Sequence, residues 1–263
     1  MNDAVSPLPG TEPVLWSIEG AIAVITINRA EARNAVNLAV AQGVAAALDE
    51  LDARDDLSVG IITGAGQSFC AGMDLKAYLR GELPRVQGRG FAGLTEKLPR
   101  KPLIAAVEGY ALAGGFEIAL ACDLIVASET AIFGLPEVKR GLVATGGGLL
   151  RLPKQIPFRV AMQYALTGAN LSAPRALDLG LINMLTAPGE ALARAMDLAR
   201  TIAANAPMAL AATKEIILSS GEWPAEERFA RQRKVAEPAF NSADAREGAQ
   251  AFAEKRAPVW RGR

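Results

Sequence analysis

The sequence predicts an α/β fold with a helical C-terminal portion, and three observations predict it. Short, continuous apolar runs such as Val59–Thr63 and Leu103–Val107 lack period-two alternation and read as strands buried on both faces. A strand, strand, helix order recurs two or three times along the chain without strong self-similarity. From Phe158 onward the pattern is mostly helical. Strands first and helices last suggest an α/β core carrying helices that could pack on a neighbour.

Each element has its own local signal. Val14–Ile18 and Ala21–Ile27 are β-rich runs around Glu19-Gly20, a hairpin turn. Asn37 precedes a helical pattern from Leu38 to about Ala53, with Val40, Val44, Ala47, Leu48 and Leu51 on one stripe. The strand Val59–Thr63 ends at the turn Gly64-Ala65-Gly66, and Met73–Leu79 reads as a short helix. Arg80–Arg100, rich in Gly, Pro and charge, is expected to be a mobile segment with a helix inside it. Leu103–Val107 is a strand, Gly114-Gly115 opens an apolar helix reaching Cys122, and Leu124–Ala127 and Ala131–Phe133 are further strands. Ser172 is expected to cap a helix that has Pro174 in its first turn. Helices follow over Glu190–Asn205, Met208–Ser219, Ala225–Phe240 and Ala243–Lys255.

Composition excludes several chemistries. The 263 residues contain no histidine, so no Ser-His-Asp or Cys-His mechanism and no imidazole ligand is available. Acid–base work near neutral pH then falls to Glu, Asp, Lys, Tyr, Cys or backbone groups. Cys70 and Cys122 are too few for an all-cysteine zinc site or a disulfide scaffold, so they read as small packing residues in a reduced, cytoplasmic setting. Lys+Arg and Asp+Glu are 28 each, which removes the electrostatic argument for nucleic acid or an anionic membrane as partner. Residues 1–13 are polar, with Pro7, Pro9 and Pro13, and read as a flexible leader without a signal-peptide pattern. No stretch approaches the roughly 18 apolar residues of a membrane-spanning helix.

Three segments carry candidate chemistry. In Ser68-Phe69-Cys70-Ala71-Gly72-Met73-Asp74-Leu75, a glycine leads into a short helix, whose first turn leaves N–H donors free for an oxyanion or phosphate. The bland alternative is an ordinary turn with Asp74 complementing the helix dipole. In Gly109-Tyr110-Ala111-Leu112-Ala113-Gly114-Gly115-Phe116-Glu117, a carboxylate falls in the first turn of an apolar helix. Desolvation there would raise its pKa toward that of a useful base, while the alternative is a glutamate that satisfies helix N–H groups. In Phe133-Gly134-Leu135-Pro136-Glu137, Pro136 fixes the backbone before an acid, which equally suits a plain helix start. Thr145-Gly146-Gly147-Gly148 resembles a phosphate loop only loosely and lacks the Lys-Ser/Thr ending, so nucleotide hydrolysis is rejected.

Taken in order, these segments, with Cys122-Asp123 and Leu166-Thr167-Gly168, resemble the crotonase (enoyl-CoA hydratase/isomerase) superfamily from about Val14 to Arg263. Gly90-Phe91-Ala92-Gly93-Leu94-Thr95-Glu96 and the ending Phe252 to Trp260 are most similar to its carnitinyl-CoA dehydratase (crotonobetainyl-CoA hydratase) branch. The resemblance implies a spiral of ββα units over 14–200 that carries the site. It also implies a C-terminal helical trimerisation region over 201–263, in homotrimers or dimers of trimers. It implies an acyl-CoA thioester as substrate, with no cofactor beyond the coenzyme A that the thioester carries. By motif position, the N–H groups of Met73 and Gly114 would hold the thioester oxygen, and a side chain at Gly114 would crowd the thioester. Glu117 and Glu137 would share one water, Glu117 as base toward the β-carbon and Glu137 as acid toward the α-carbon. One of them should carry a proton at rest, since two close carboxylates do not both ionise cheaply. Coenzyme A would lie against Arg33, Ala71 and the turn of Met73, Asp74, Leu75 and Lys76. Phe252 and Lys255 match positions that help bind it across a subunit boundary, and Lys255 alternatively reads as a solvated cation ending a helix.

Departures from the family narrow the expectation. Ala144-Thr145 stand where members often carry Pro-Asp or Pro-Gly, and dienoyl-CoA isomerases have an acid at the position of Thr145, so that activity is disfavoured. Glu108 replaces a common Asn or His, and Ala113 replaces a common glycine at expected small cost. The activities left are hydration of an enoyl-CoA, hydration of crotonobetainyl-CoA, isomerisation, or acyl-CoA binding without turnover. A carnitine-type substrate brings a quaternary ammonium, which would favour an aromatic or acidic wall.

Overall fold

The computed structural model describes residues 6–7 and 13–262. Within the expected leader, Ser6–Pro7 form strand β1, and residues 1–5 and 8–12 lie outside the described residues. The hairpin β2 (Val14–Glu19) and β3 (Ile22–Ile27) pairs antiparallel as its sequence predicts. Helix α1 (Leu38–Ala53) starts where Asn37 accepts the Val40 N–H and buries its Val40–Leu51 stripe. Strand β4 (Val59–Gly64) follows, then α2 (Leu75–Leu79). The α2 helix begins two residues later than predicted, because Asp74 serves as its N-cap, accepting from Lys76 and Ala77.

Arg80–Arg100 departs from expectation. It holds no helix, but a small antiparallel pair, β5 (Arg85–Val86) and β6 (Gly90–Phe91), followed by buried turns. Its order comes from distant partners: Arg89 is ion-paired to Asp49 of α1, and Gly93 packs against the carbonyl of Ala41. Such contacts leave no local signature, whereas the Gly and charge content mimics a loose loop.

The rest of the core repeats one unit. Strands β7 (Leu103–Val107) and β8 (Tyr110–Leu112) lead into α3 (Gly114–Ala121). Strands β9 (Leu124–Ser128) and β10 (Ile132–Gly134) lead through a 3-10 turn at Pro136–Arg140 to α4 (Gly148–Gln155) and α5 (Phe158–Thr167). Strand β11 (Leu171–Ser172), helix α6 (Ala173–Asp178) and strand β12 (Met184–Thr186) close the core. Ser172 holds the N-cap position of α6, but its side chain makes no capping bond. The larger sheet runs β1-β2-β3-β4-β7-β9-β12, parallel from β3 onward, and its middle strands are buried on both faces. The smaller sheet runs β11-β10-β8 and is extended by a parallel bridge between Ala111 and Cys70. Each unit thus gives one segment to each sheet and then a helix, which is the spiral of ββα units that the resemblance implies.

Four helices complete the described chain: α7 (Ala191–Ala203), α8 (Pro207–Ser219), α9 (Arg228–Phe240) and α10 (Ala243–Glu254). Glu108 has a structural role: its Oε1 accepts the N–H of Ala191 at 2.9 Å, at the start of α7. The Lys214 Nζ of α8 meets Asp123 Oδ2 at 2.6 Å with both side chains largely buried, tying this layer to the core. Among the described residues, no helix is long and apolar enough to cross a membrane.

Candidate active site

Strand register assembles the site. Cys70, Ala111 and Phe133 lie side by side on three parallel segments, so the chain leaves all three in the same direction. The next residues are therefore neighbours: Gly72-Met73, Ala113-Gly114, and the turn that carries Glu137. The N–H of Ala113 donates to the Gly134 carbonyl at 2.8 Å, and a methyl at Gly72 would sit 2.9 Å from Ala113 Cβ and 3.1 Å from Gly114 N. Residues from 21 to 63 positions apart in sequence thus meet at one end of the sheet.

Two main-chain donors are free there. Val36 bridges to Met73 through the Gly72 carbonyl and the Asp74 N–H, so the N–H of Met73 faces the other way. Gly114 is the first residue of α3, where an N–H has no intrahelical acceptor. Among the described residues neither N–H has an acceptor. Gly114 also has a reason within the protein to be glycine: a Cβ would lie 2.3 Å from the ring of Phe91, which packs over the start of α3. Ala113 adopts φ +50°, ψ −126°, a conformation that costs a residue with a side chain about 1–3 kcal/mol, more than the sequence suggests. Gly115 meets the carbonyl of Cys70 so closely that a Cβ would lie 2.0 Å from its oxygen.

The two glutamates sit in contrasting surroundings. Glu117 is 3% exposed, and its Oε1 accepts the Gly148 N–H at 2.9 Å. The glycine run, which resembled a phosphate loop, is wrapped around this carboxylate: a Cβ at Gly146 would lie 2.6 Å from Glu117 Oε2, and one at Gly148 3.0 Å from its Cγ. Burial raises the Glu117 pKa, opposed by the N–H groups of Gly148 and Gly146 and by the charges of Arg151 and Arg85. Glu137 is half-buried, and its Oε2 is buried without a hydrogen-bond partner among the described residues. Burial, and then the nearby charge of Glu117, push its pKa up to about 7, against its own backbone N–H and Arg140. Glu117 therefore has N–H donors from the glycine run, whereas Glu137 has its own N–H and a buried Oε2 without a partner among the described residues, a contrast that separates their protonation.

Arg151 and the hairpin are parts that sequence reasoning missed. Arg151 Nη2 donates to the Thr95 carbonyl at 2.7 Å, and Nη1 lies 3.5 Å from the Gly146 carbonyl, pinning the glycine run. Gly147, at φ +96°, leaves room for that guanidinium, since a Cβ would lie 2.1 Å from Nη1. Arg85 Nη2 reaches the carbonyl of Thr145 at 3.4 Å from the hairpin side. An arginine inside an otherwise apolar helical run was the available signal. Beyond Glu137 lies a cavity of about 230 Å³ between the 135–138 turn, residues 143–144, α4 and α5.

The remaining expected residues fall into two groups. Arg33 and Ala71 are joined by the Ala71 N–H to Arg33 carbonyl bond at 3.0 Å, and the Val36–Met73 bridge holds the 72–76 turn alongside. Leu75 and Lys76 are exposed there. Asp74 is committed internally: against the upward pull of burial, the Ala77 N–H and the Arg29 guanidinium at 3.0 Å hold its pKa below the usual value. Phe252, 87% exposed, and Lys255, which ends α10 at φ +55°, are tied to none of these residues by a hydrogen bond or ion pair among the described residues. Cys70 and Cys122 are buried, and burial lifts the Cys70 thiol to about 12, so both are packing residues.

Comparison with known proteins gives one family. Residues 17–263 match the model described as Enoyl-CoA hydratase/isomerase. Carnitinyl-CoA dehydratase of Salmonella typhi is 46% identical over 254 residues, 93% of this chain and 96% of that protein. The crystal structure of enoyl-CoA hydratase EchA1 from Mycobacterium marinum superposes with a TM-score of 0.94 at 61% identity, covering 95% of this chain and 99% of that one. Carnitinyl-CoA hydratase from Mycobacterium avium gives 0.77 at 43% identity, covering 96% and 99%.

Proposed function

The chain belongs to the enoyl-CoA hydratase/isomerase family and is a hydro-lyase of its hydratase type, and from that premise we propose a specific reaction and machinery. The protein adds water reversibly across the 2,3 double bond of a trans-2-enoyl-CoA. The N–H groups of Met73 and Gly114 hold the thioester oxygen, and Glu117 and Glu137 share the reacting water. Glu117, ionised and held by the glycine run, takes a proton from the water as its oxygen bonds to the β-carbon. The π electrons move toward the thioester, whose oxygen gathers charge against the two N–H donors, each contributing about 3–4 kcal/mol. Glu137 gives its proton to the α-carbon. The product carries H on one carbon and OH on the other, and one proton has passed from Glu137 to Glu117. Dehydration runs the same steps backward.

The observation that carries this reading is the contrast between the acids: Glu117 meets the N–H groups of Gly148 and Gly146, and Glu137 has a buried oxygen that no group among the described residues satisfies. A 3-enoyl isomerase needs one base and would leave the second acid idle, and a binding module has no use for an unsatisfied buried carboxyl. Loss of the ultraviolet absorbance of the conjugated thioester of crotonyl-CoA tests the reading. Wild type should remove it, Glu117→Gln and Glu137→Gln should each slow removal at least 100-fold while staying folded, and wild-type turnover in either variant contradicts the assignment.

We further propose that coenzyme A lies along Arg33, Ala71 and the turn of Asp74, Leu75 and Lys76, and that Phe252 and Lys255 reach it from a neighbouring copy in a homotrimer. Ile217, Phe229, Phe240 and Phe252 are largely exposed on α8–α10, an apolar surface that suits subunit contact. Light scattering should give three or six chains per particle, and a monomer contradicts the assembly.

A further inference from the structure

We infer that the acyl tail taken by this site is an uncharged aliphatic chain several carbons long, and that a trimethylammonium head group is refused. The inference rests on the proposed hydratase reading and concerns what that same site selects. The cavity beyond Glu137 occupies about 230 Å³, and apart from Glu137 its walls are formed wholly by Leu, Val, Ala, Met and Pro side chains. Among the described residues, no aromatic ring and no second carboxyl lines it. A quaternary ammonium donates no hydrogen bond, so a protein holds it with aromatic faces or fixed acids. Here the sole acid is the one that must arrive protonated at the α-carbon. A cation within about 4–6 Å of Glu137 would favour its ionised form and remove the proton it has to give. The cations that act on the pair, Arg151 and Arg85 at Glu117 and Arg140 at Glu137, repel a further cation. Apolar walls would also strip water from the ammonium without replacing it.

For an aliphatic tail the same walls are favourable. A dry cavity of about 150 Å³ accepts benzene, so this one has room for roughly four to six carbons beyond the double bond. Ala161 and Ala165 line it from α5, one helical turn apart, and their small side chains leave the space open. Each methylene buried there should raise kcat/KM about fourfold.

The test is kcat/KM of the full chain for crotonyl-CoA, trans-2-hexenoyl-CoA, trans-2-octenoyl-CoA and crotonobetainyl-CoA, read by loss of conjugated-thioester absorbance. Values should climb about 15-fold at each step from four to eight carbons. Crotonobetainyl-CoA, close to the octenoyl group in size, should fall at least 100-fold below it. Ala165→Leu should lower the octenoyl value at least tenfold more than the crotonyl value. Crotonobetainyl-CoA turned over as well as octenoyl-CoA, or a flat or falling dependence on length, overturns the inference while leaving the hydratase reading intact. A protein that hydrates none of the four overturns that reading, and this inference with it.

Discussion

Replacing Glu137 by Gln should stabilise the protein at pH 8 and leave it nearly unchanged at pH 5. In the folded chain the carboxyl titrates at about 7, against an ordinary value of 4.5, chiefly because it is buried. Between those two pH values the folded state binds a proton that the unfolded state has released. Stability contributed by the neutral acid is therefore lost as pH rises from 4.5 through 7. At about 1.4 kcal/mol per pH unit, the gap caps the loss at about 3 kcal/mol. The side chain is only half-buried, so solvent on its open side reduces this to about 1–2 kcal/mol. Glutamine carries no charge at either pH and escapes the loss. Urea unfolding of both proteins at pH 5 and pH 8 reads the difference directly, and the hydration assay should show the variant at least 100-fold slower. Equal pH dependence in the two proteins, or a variant less stable at pH 8, would refute the reasoning that a destabilising acid is kept for its chemistry.

Other substitutions probe the supports of the site. Gly146→Ala puts a methyl 2.6 Å from Glu117 Oε2, so turnover should fall at least tenfold while circular dichroism stays native. Arg151→Ala releases the glycine run from Thr95 and removes a cation from beside Glu117, raising the pKa of the base; the acid limb of the kcat/KM profile should move to higher pH and kcat should drop, with partial rescue by Arg151→Lys. Ala113→Gly relieves about 1–3 kcal/mol of backbone strain but loses about 0.5–1 kcal/mol to unfolded-state entropy, so calorimetry should show Tm unchanged or raised by a few degrees. Lys214→Met leaves Asp123 buried and unpaired, and should cost about 3–5 kcal/mol in chemical denaturation.

What could be read from the residues follows the range of the forces involved. The buried strands, the Asn37 cap and the glycine-led start of α3 are encoded within a few positions, and the structure reproduces them. The convergence of Glu117 with Glu137 came from family resemblance, because the register that joins Cys70, Ala111 and Phe133 spans sixty residues. Composition misled at Arg85–Phe91, where contacts to Asp49 and Gly114 order a segment that reads locally as loose. The Gly146–Gly148 run has no evident purpose until the carboxylate some thirty residues earlier is placed inside it. Ser172 shows the reverse error: a residue of the right type at the right position that does not make the expected bond.

The most direct test of the whole account is the crystal structure of Glu137→Gln with a trans-2-enoyl-CoA bound. The thioester oxygen should lie about 3 Å from the N–H groups of both Met73 and Gly114. One water should touch both Glu117 and the side chain at position 137, facing the β-carbon. A thioester oxygen held elsewhere, or the two side chains addressing separate waters, would contradict it.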